Sequence, residues 1–194
     1  MEASLWSDVD SAPGSAAPPL FARVLGQEAF ARLPAPVRAL HDAQQDTCWA
    51  GSGEVIRGGH PLILPLAWAA RLPPAGVVPV RVGFVRAGGL ERWQRRFGHH
   101  RMDSTLWQHG RLLRERLGLV TFDFSLRADA AGLVWSVEAV RTCGVRLPRR
   151  WFARTRAFES MDAGVYVFDV DVVLTWVGLL VRYRGRLQPG CPDA

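Results

Sequence analysis

The stretch Val165-Tyr-Val-Phe-Asp-Val-Asp-Val-Val-Leu-Thr-Trp-Val-Gly-Leu-Leu-Val-Arg-Tyr-Arg-Gly-Arg-Leu187 decides the fold. Tyr166, Phe168, Val170, Val172 and Leu174 fall at every second position, the repeat of a strand with one buried face. If Thr175-Trp-Val-Gly178 is the loop, Leu174 faces Leu179. The pairs then continue as Val172 with Val181, Val170 with Tyr183, Phe168 with Gly185 and Tyr166 with Leu187. The same register sets Asp171 opposite Arg182 and Asp169 opposite Arg184. One face is apolar, the other sets acid against base, and a slip of one residue destroys both. The two ion pairs read as an exposed face that pins register, worth about 0–1 kcal/mol each.

The period of two extends back to Val77. Val78–Phe84, Leu90–Phe97, Met102–Leu106, Val120–Leu126, Leu133–Arg141 and Thr155–Ser160 all read as strands separated by short turns. Asp129-Ala-Ala-Gly132 as a turn pairs Leu126 with Trp135, Phe124 with Val137 and Phe122 with Ala139. It also sets Asp123 opposite Glu138, two carboxylates whose repulsion Arg127 and Arg141 would dilute. His109-Gly110 as a two-residue turn pairs Leu106 with Leu113, Ser104 with Glu115 and Met102 with Leu117. The expected class is α+β: a curved antiparallel meander sheet or β-barrel of about eight to ten strands, with two or three N-terminal helices.

The N-terminal part is organised differently. Residues 1–19, rich in Ser, Ala and Pro, predict a disordered tail. Leu20, Phe21, Val24, Leu25 and Phe30 recur at helical spacing, with Gly26 weakening that helix. Pro36 to Asp42 predicts a second helix presenting Val37, Leu40 and His41 on one side. Thr47–Ile56 reads as a strand. Pro61–Arg71 is apolar nearly all round, which predicts a buried helix; the sharper reading is a lid or membrane-docking helix. A single domain is expected over 20–188, with a tail over 189–194.

Composition excludes several classes. The chain has 194 residues and a net charge of +6, and all 24 of its basic residues are Arg, with no Lys and no Asn. That joint absence reads as a GC-rich genome before it reads as function. Without lysine there is no P-loop and no Schiff-base chemistry, and the dinucleotide, zinc-protease and serine-hydrolase motifs are absent too. Three widely spaced cysteines, read as free thiols, predict a cytoplasmic protein, as does an acidic start without an apolar leader. The longest apolar run, Val172–Val181, is too short for a transmembrane helix.

Four residues are candidates for a ligand site. Ser104 and Glu115 would face each other among apolar neighbours, either as a polar anchor in a cavity or as a buried knot with an arginine. Trp68 marks the apolar segment as the mouth of such a cavity, and His109 could join the polar cluster. Arg92, Arg95 and Arg96 around Trp93 form a possible basic patch. The arginines interleave with acids along the whole chain, which disfavours nucleic acid. His99 and His100 point to opposite faces of a regular strand and make a poor metal pair. No cofactor is expected.

Leu20-Phe-Ala-Arg-Val-Leu-Gly26, Leu33-Pro-Ala-Pro-Val-Arg-Ala-Leu-His41, Glu91-Arg-Trp-Gln-Arg-Arg-Phe-Gly98 and Gly178-Leu-Leu-Val-Arg-Tyr-Arg-Gly-Arg-Leu187 together resemble a bacterial family, domain of unknown function 4166. The resemblance spans about residues 20–188. It implies occurrence alone or C-terminal to NAD(P)-binding saccharopine-dehydrogenase-like or epimerase-like domains, and hence an accessory role beside an oxidoreductase; it carries over no catalytic residue. The favoured expectation is a non-catalytic module for an apolar small molecule or a protein partner. The alternatives are an enzyme or enzyme subunit using Ser104, Glu115 and His109, and a purely structural interaction module. The oligomeric state is left open.

Overall fold

The computed structural model describes residues 18–42 and 46–190. The expected N-terminal tail lies outside them up to residue 17, and the expected C-terminal tail from residue 191. Three short helices, α1 (Leu20–Leu25), α2 (Gln27–Ala31) and α3 (Ala35–Asp42), precede β1 (Thr47–Arg57). Helix α4 (Ile63–Ala69) leads to β2 (Gly76–Ala87), β3 (Leu90–Phe97), β4 (His100–His109), β5 (Leu112–Leu117), β6 (Val120–Asp129) and β7 (Gly132–Thr142). After a three-residue β8 (Val145–Leu147) and a single 3-10 turn at Arg149–Phe152 come β9 (Arg156–Asp162), β10 (Val165–Leu174) and β11 (Gly178–Pro189).

All neighbours pair antiparallel, in the order β6-β5-β4-β3-β2-β1-β11-β10-β9-β7, and β6 pairs with β7. The sheet therefore closes into a barrel of the expected kind, and β8 hangs on β7 as an extra strand. Closure needs β9 to reach β7 past β8, which it does through Leu133↔Glu159, Val134↔Phe158 and Trp135↔Ala157. Gly132 makes that approach feasible. Its φ is 150°, and a Cβ there would lie 2.1 Å from the Glu159 carbonyl oxygen. Toward the other end β7 and β9 diverge, and β8 with the 3-10 turn fills the wedge. Thr155 Oγ1 donates to the Val173 carbonyl and accepts from Val173 N, both at 3.1 Å, pinning that connector to β10.

The closing hairpin has the register expected from its two faces, from Tyr166↔Leu187 through Asp169↔Arg184 to Val172↔Val181. At its tip a bulge after Val172 shifts the pairing, so Leu174 faces Gly178 rather than Leu179. Two other registers differ from expectation. The β4–β5 turn is Gly110-Arg111, not His109-Gly110: His109 pairs with Leu112, and glycine takes the first central position with φ 61°. Ser104 consequently faces Leu117, and Glu115 faces Leu106. In the β6–β7 hairpin a bulge places Asp123 opposite Ala139, so the expected Asp123–Glu138 pair does not form. Glu138 instead accepts from Ser125 Oγ at 2.8 Å and pairs with Arg149 at 3.0 Å.

Because the strands alternate in direction, their connections sort to two ends. At one end α1–α3 plug the barrel. Val37, Leu40 and His41 of α3 are all buried, as their i, i+3, i+4 spacing implies, and so are Leu20 and Phe21 of α1. The single helix expected over Leu20–Phe30 is two, because Gly26 adopts φ 84°, outside the helical region. At the other end lies α4, whose expected burial is overturned. Ile63 and Ala67 are buried, but Leu64 and Trp68 are 78% and 76% exposed. The segment has no polar face, yet it packs on the barrel rim through one side only. Cys143 is a free, exposed thiol, whereas Cys48 is disulfide-bonded, which removes the free-thiol argument for the cytoplasm. Among the described residues no helix is long and apolar enough to cross a membrane.

Candidate functional site

The barrel encloses a cavity of about 380 Å3. Interiors of small barrels are normally filled by side chains, with few voids larger than a water. Here the inward positions that should fill the middle are modest in size: Val137, Ala157, Val170 and Val172 all line the space. Trp176 also lines it and is 48% exposed, so the cavity meets solvent at the α4 end, which is its mouth. Trp151 meets Trp176 edge to face at 5.5 Å on the same rim.

The floor is built by the plug. Phe21 stacks on His41 with ring centroids 3.7 Å apart and touches Trp135 at 5.5 Å; Trp93 and Trp135 meet edge to face at 6.0 Å. His41 is fully buried, and its Nε2 donates to Glu159 Oε2 at 2.6 Å. Breaking such a buried pair by removing one partner costs about 3–5 kcal/mol, so this contact ties α3 to β9. Trp93 Nε1 donates to Glu91 at 3.1 Å, and Arg86 reaches the same carboxylate at 3.3 Å.

Above the floor is a polar belt. On β3 the strand period turns Glu91, Trp93, Arg95 and Phe97 inward together. Arg95 lies over the Trp93 ring at 4.6 Å and donates to Glu115 at 2.8 Å. Burial works against the Arg95 charge, but the Glu115 carboxylate outweighs it and holds its pKa above the ordinary value. Burial pushes the Tyr183 phenol up to about 12, against the pull of Arg95 and with help from Glu115 and Glu159. Burial and then Glu159 hold Tyr166 well above the usual phenol range. Both phenols therefore stay protonated at neutral pH. Trp135 Nε1, also on the cavity wall, is buried without a hydrogen-bond partner, and so is the nearby strand's Ser104 Oγ. A buried donor left unmade costs roughly 1–3 kcal/mol. The arrangement is an apolar chamber whose charges are already paired and whose spare polar capacity is mainly donors.

The expected site residues fare unequally. Ser104 and Glu115 are both buried on the inner face, but two residues out of the expected register, and Glu115 alone lines the cavity. His109 is exposed at the plugged end, remote from the chamber, so it joins no polar cluster with them. Trp68 stands at the mouth with its ring in solvent. The arginine patch is split, with Arg95 inside while Arg92 and Arg96 face out. His100 donates from Nε2 to the Arg71 carbonyl at 2.9 Å, and His99 is exposed. His41, Glu159, Tyr166 and Tyr183 were not picked out as site residues, and Arg95 was picked only as part of a basic patch. Arg95 was legible from its alternation with Trp93 and Phe97. The His41–Glu159 pair joins residues 118 apart, and no local pattern announces it.

A family model described as Domain of unknown function (DUF4166) matches residues 33–187, most of the chain, and the chain belongs to that family. Among curated proteins none matches. The matched span begins at Leu33, so α1 and α2, which bring Phe21 to the floor, lie outside it.

Proposed function

We propose that this member of the domain of unknown function 4166 family is a binding domain that holds an apolar small molecule inside its barrel. The observation that carries the reading is the chamber itself: its volume falls within the usual range for small-molecule sites, about 300–1,000 Å3, and its wall is apolar with a few convergent polar groups. Because Arg95 is neutralised by Glu115, a charged head group is not demanded. The unpartnered Trp135 Nε1 and the protonated Tyr183 phenol suit a ligand with an oxygen that accepts hydrogen bonds, such as an alcohol, ketone or ester, while Tyr166 donates to Glu159. Binding rather than catalysis is favoured because each carboxylate on the wall is engaged, Glu115 by Arg95 and Glu159 by His41.

The test is a fluorescence titration with the neutral apolar probe N-phenyl-1-naphthylamine. The wild-type chain is expected to give a saturable, one-to-one enhancement. Val172→Trp, which fills the chamber, is expected to weaken it by about tenfold or more, a difference of about 1.4 kcal/mol. Absence of saturable binding, or equal binding by the filled variant, would overturn the reading.

A further inference from the structure

We propose that the mouth of the barrel docks on the surface of an anionic lipid bilayer. The inference deepens the binding reading, since it names the source from which an apolar ligand would enter, but it rests on rim residues of which Trp176 alone also lines the chamber. Every connection at the mouth, namely residues 57–76, 98–101, 118–119, 143–155 and 175–178, is free of Asp and Glu. The same segments carry Arg57, Arg71, Arg101, Arg146, Arg149, Arg150 and Arg154. Arg57 is used internally, donating to the carbonyls of Pro73 and Leu72, while Arg101 and Arg149 pair with Asp103 and Glu138. Arg71, Arg146, Arg150 and Arg154 are exposed and have no carboxylate partner among the described residues. The plugged end differs: there Asp129 and Asp162 pair with Arg127 and Arg186.

The same end concentrates exposed apolar side chains. Leu62, Leu64 and Trp68 of the α4 segment, Leu119 of the β5–β6 turn, Val145 of β8 and Trp176 of the β10–β11 loop surround the mouth from four sides. An open groove of about 940 Å3 between α4 and the turns at His100 and Leu119 gives this surface depth. Large exposed apolar patches on a folded domain mark interaction surfaces. A ring of leucine, valine and tryptophan interleaved with unpaired arginines matches the interface of a bilayer, where apolar side chains enter the acyl boundary and guanidinium groups meet phosphate. With the mouth seated, an apolar molecule passes from the acyl region to the chamber without crossing water.

The experiment is co-sedimentation of the full chain with phosphatidylcholine vesicles, with and without phosphatidylglycerol. Binding is expected to the phosphatidylglycerol vesicles, at least tenfold weaker to neutral ones, and weakened by salt because screening shortens the reach of exposed charges. Leu64→Ser/Trp68→Ser and, separately, Arg146→Glu/Arg150→Glu should each reduce vesicle binding at least tenfold, with thermal unfolding confirming that both variants fold. No sedimentation with phosphatidylglycerol vesicles, or sedimentation unchanged in both variants, overturns the proposal. So does a dimer in analytical ultracentrifugation that Leu64→Ser/Trp68→Ser dissolves, since that assigns the surface to a second copy. The probe titration separates the two readings. If docking fails while N-phenyl-1-naphthylamine still binds, the chamber stands and the docking falls; vesicle binding without probe binding gives the reverse.

Discussion

The two ends of the barrel solve opposite problems. At the plugged end, α1 and α3 bury Phe21, Val37, Leu40 and His41, and the His41–Glu159 pair locks helix to strand. At the mouth, α4 buries two side chains and leaves Leu64 and Trp68 in water. A helix of seven residues gains little stability of its own, so most of what holds it is packing, and here the packing is one-sided. The contrast teaches that apolar surface that stabilises the fold and apolar surface left exposed are separated along the barrel axis. Apolar surface at the floor holds the fold together, while apolar surface at the mouth contributes little to folding and is available for contact.

Substitutions at the two ends break or sharpen that contrast. Phe21→Ala removes the ring that fills the floor and should lower the unfolding free energy by about 3–5 kcal/mol in a urea titration. A loss under about 1 kcal/mol would mean the plug is not what stabilises this end. Glu159→Ala should cost about 3 kcal/mol, because it leaves His41 buried without its acceptor. A double-mutant cycle with His41→Ala should return a coupling of about 0.5–3 kcal/mol. On the wall between the ends, Asp123 is buried and bonded by Arg114 at 2.5 Å and Arg141 at 2.7 Å. Burial alone would raise its pKa, but the two arginines outweigh it and hold the carboxyl below its ordinary 3.8. A depressed carboxyl stabilises the fold above its unfolded value, and that contribution is lost as pH falls through the lower folded value. Asp123→Asn should therefore cost about 1–3 kcal/mol near pH 7 and flatten the acid limb of the stability profile. The smallest effect belongs to the mouth. Leu64→Ser/Trp68→Ser should move stability by no more than about 0.5 kcal/mol per site, read from the urea midpoint.

Legibility in the sequence followed the number of independent constraints on each element. The β10–β11 hairpin was readable because both faces voted for one register, apolar pairs on one and Asp–Arg pairs on the other. The β4–β5 hairpin had one informative face, and glycine taking the first rather than the second central position of the turn moves Ser104 away from Glu115. The β6–β7 bulge makes Glu138 the extra residue of β7 and shifts the inward phase from Trp135 and Val137 to Val140 and Thr142, a break marked in the sequence only by the adjacent apolar pair Ala139-Val140. Helix α4 misled because absence of a polar face implies burial only where a partner surface exists on every side. The barrel itself was legible from one-sided strands, but its closure depends on β9 skipping β8 to reach β7 through Gly132, a long-range fact. Of the site, Glu115 was anticipated as an inward carboxylate, whereas His41 and Glu159 meet only once the barrel is closed and plugged.

The central claim is that the chamber between the plug and the mouth holds an apolar molecule, and it is tested most directly by crystallography with 12-bromododecan-1-ol. The account predicts an anomalous bromine peak inside the barrel, among Val137, Val170 and Val172, with the chain continuing toward Trp135 or toward the mouth. A barrel empty of bromine in crystals whose outer groove beside α4 is labelled would contradict it.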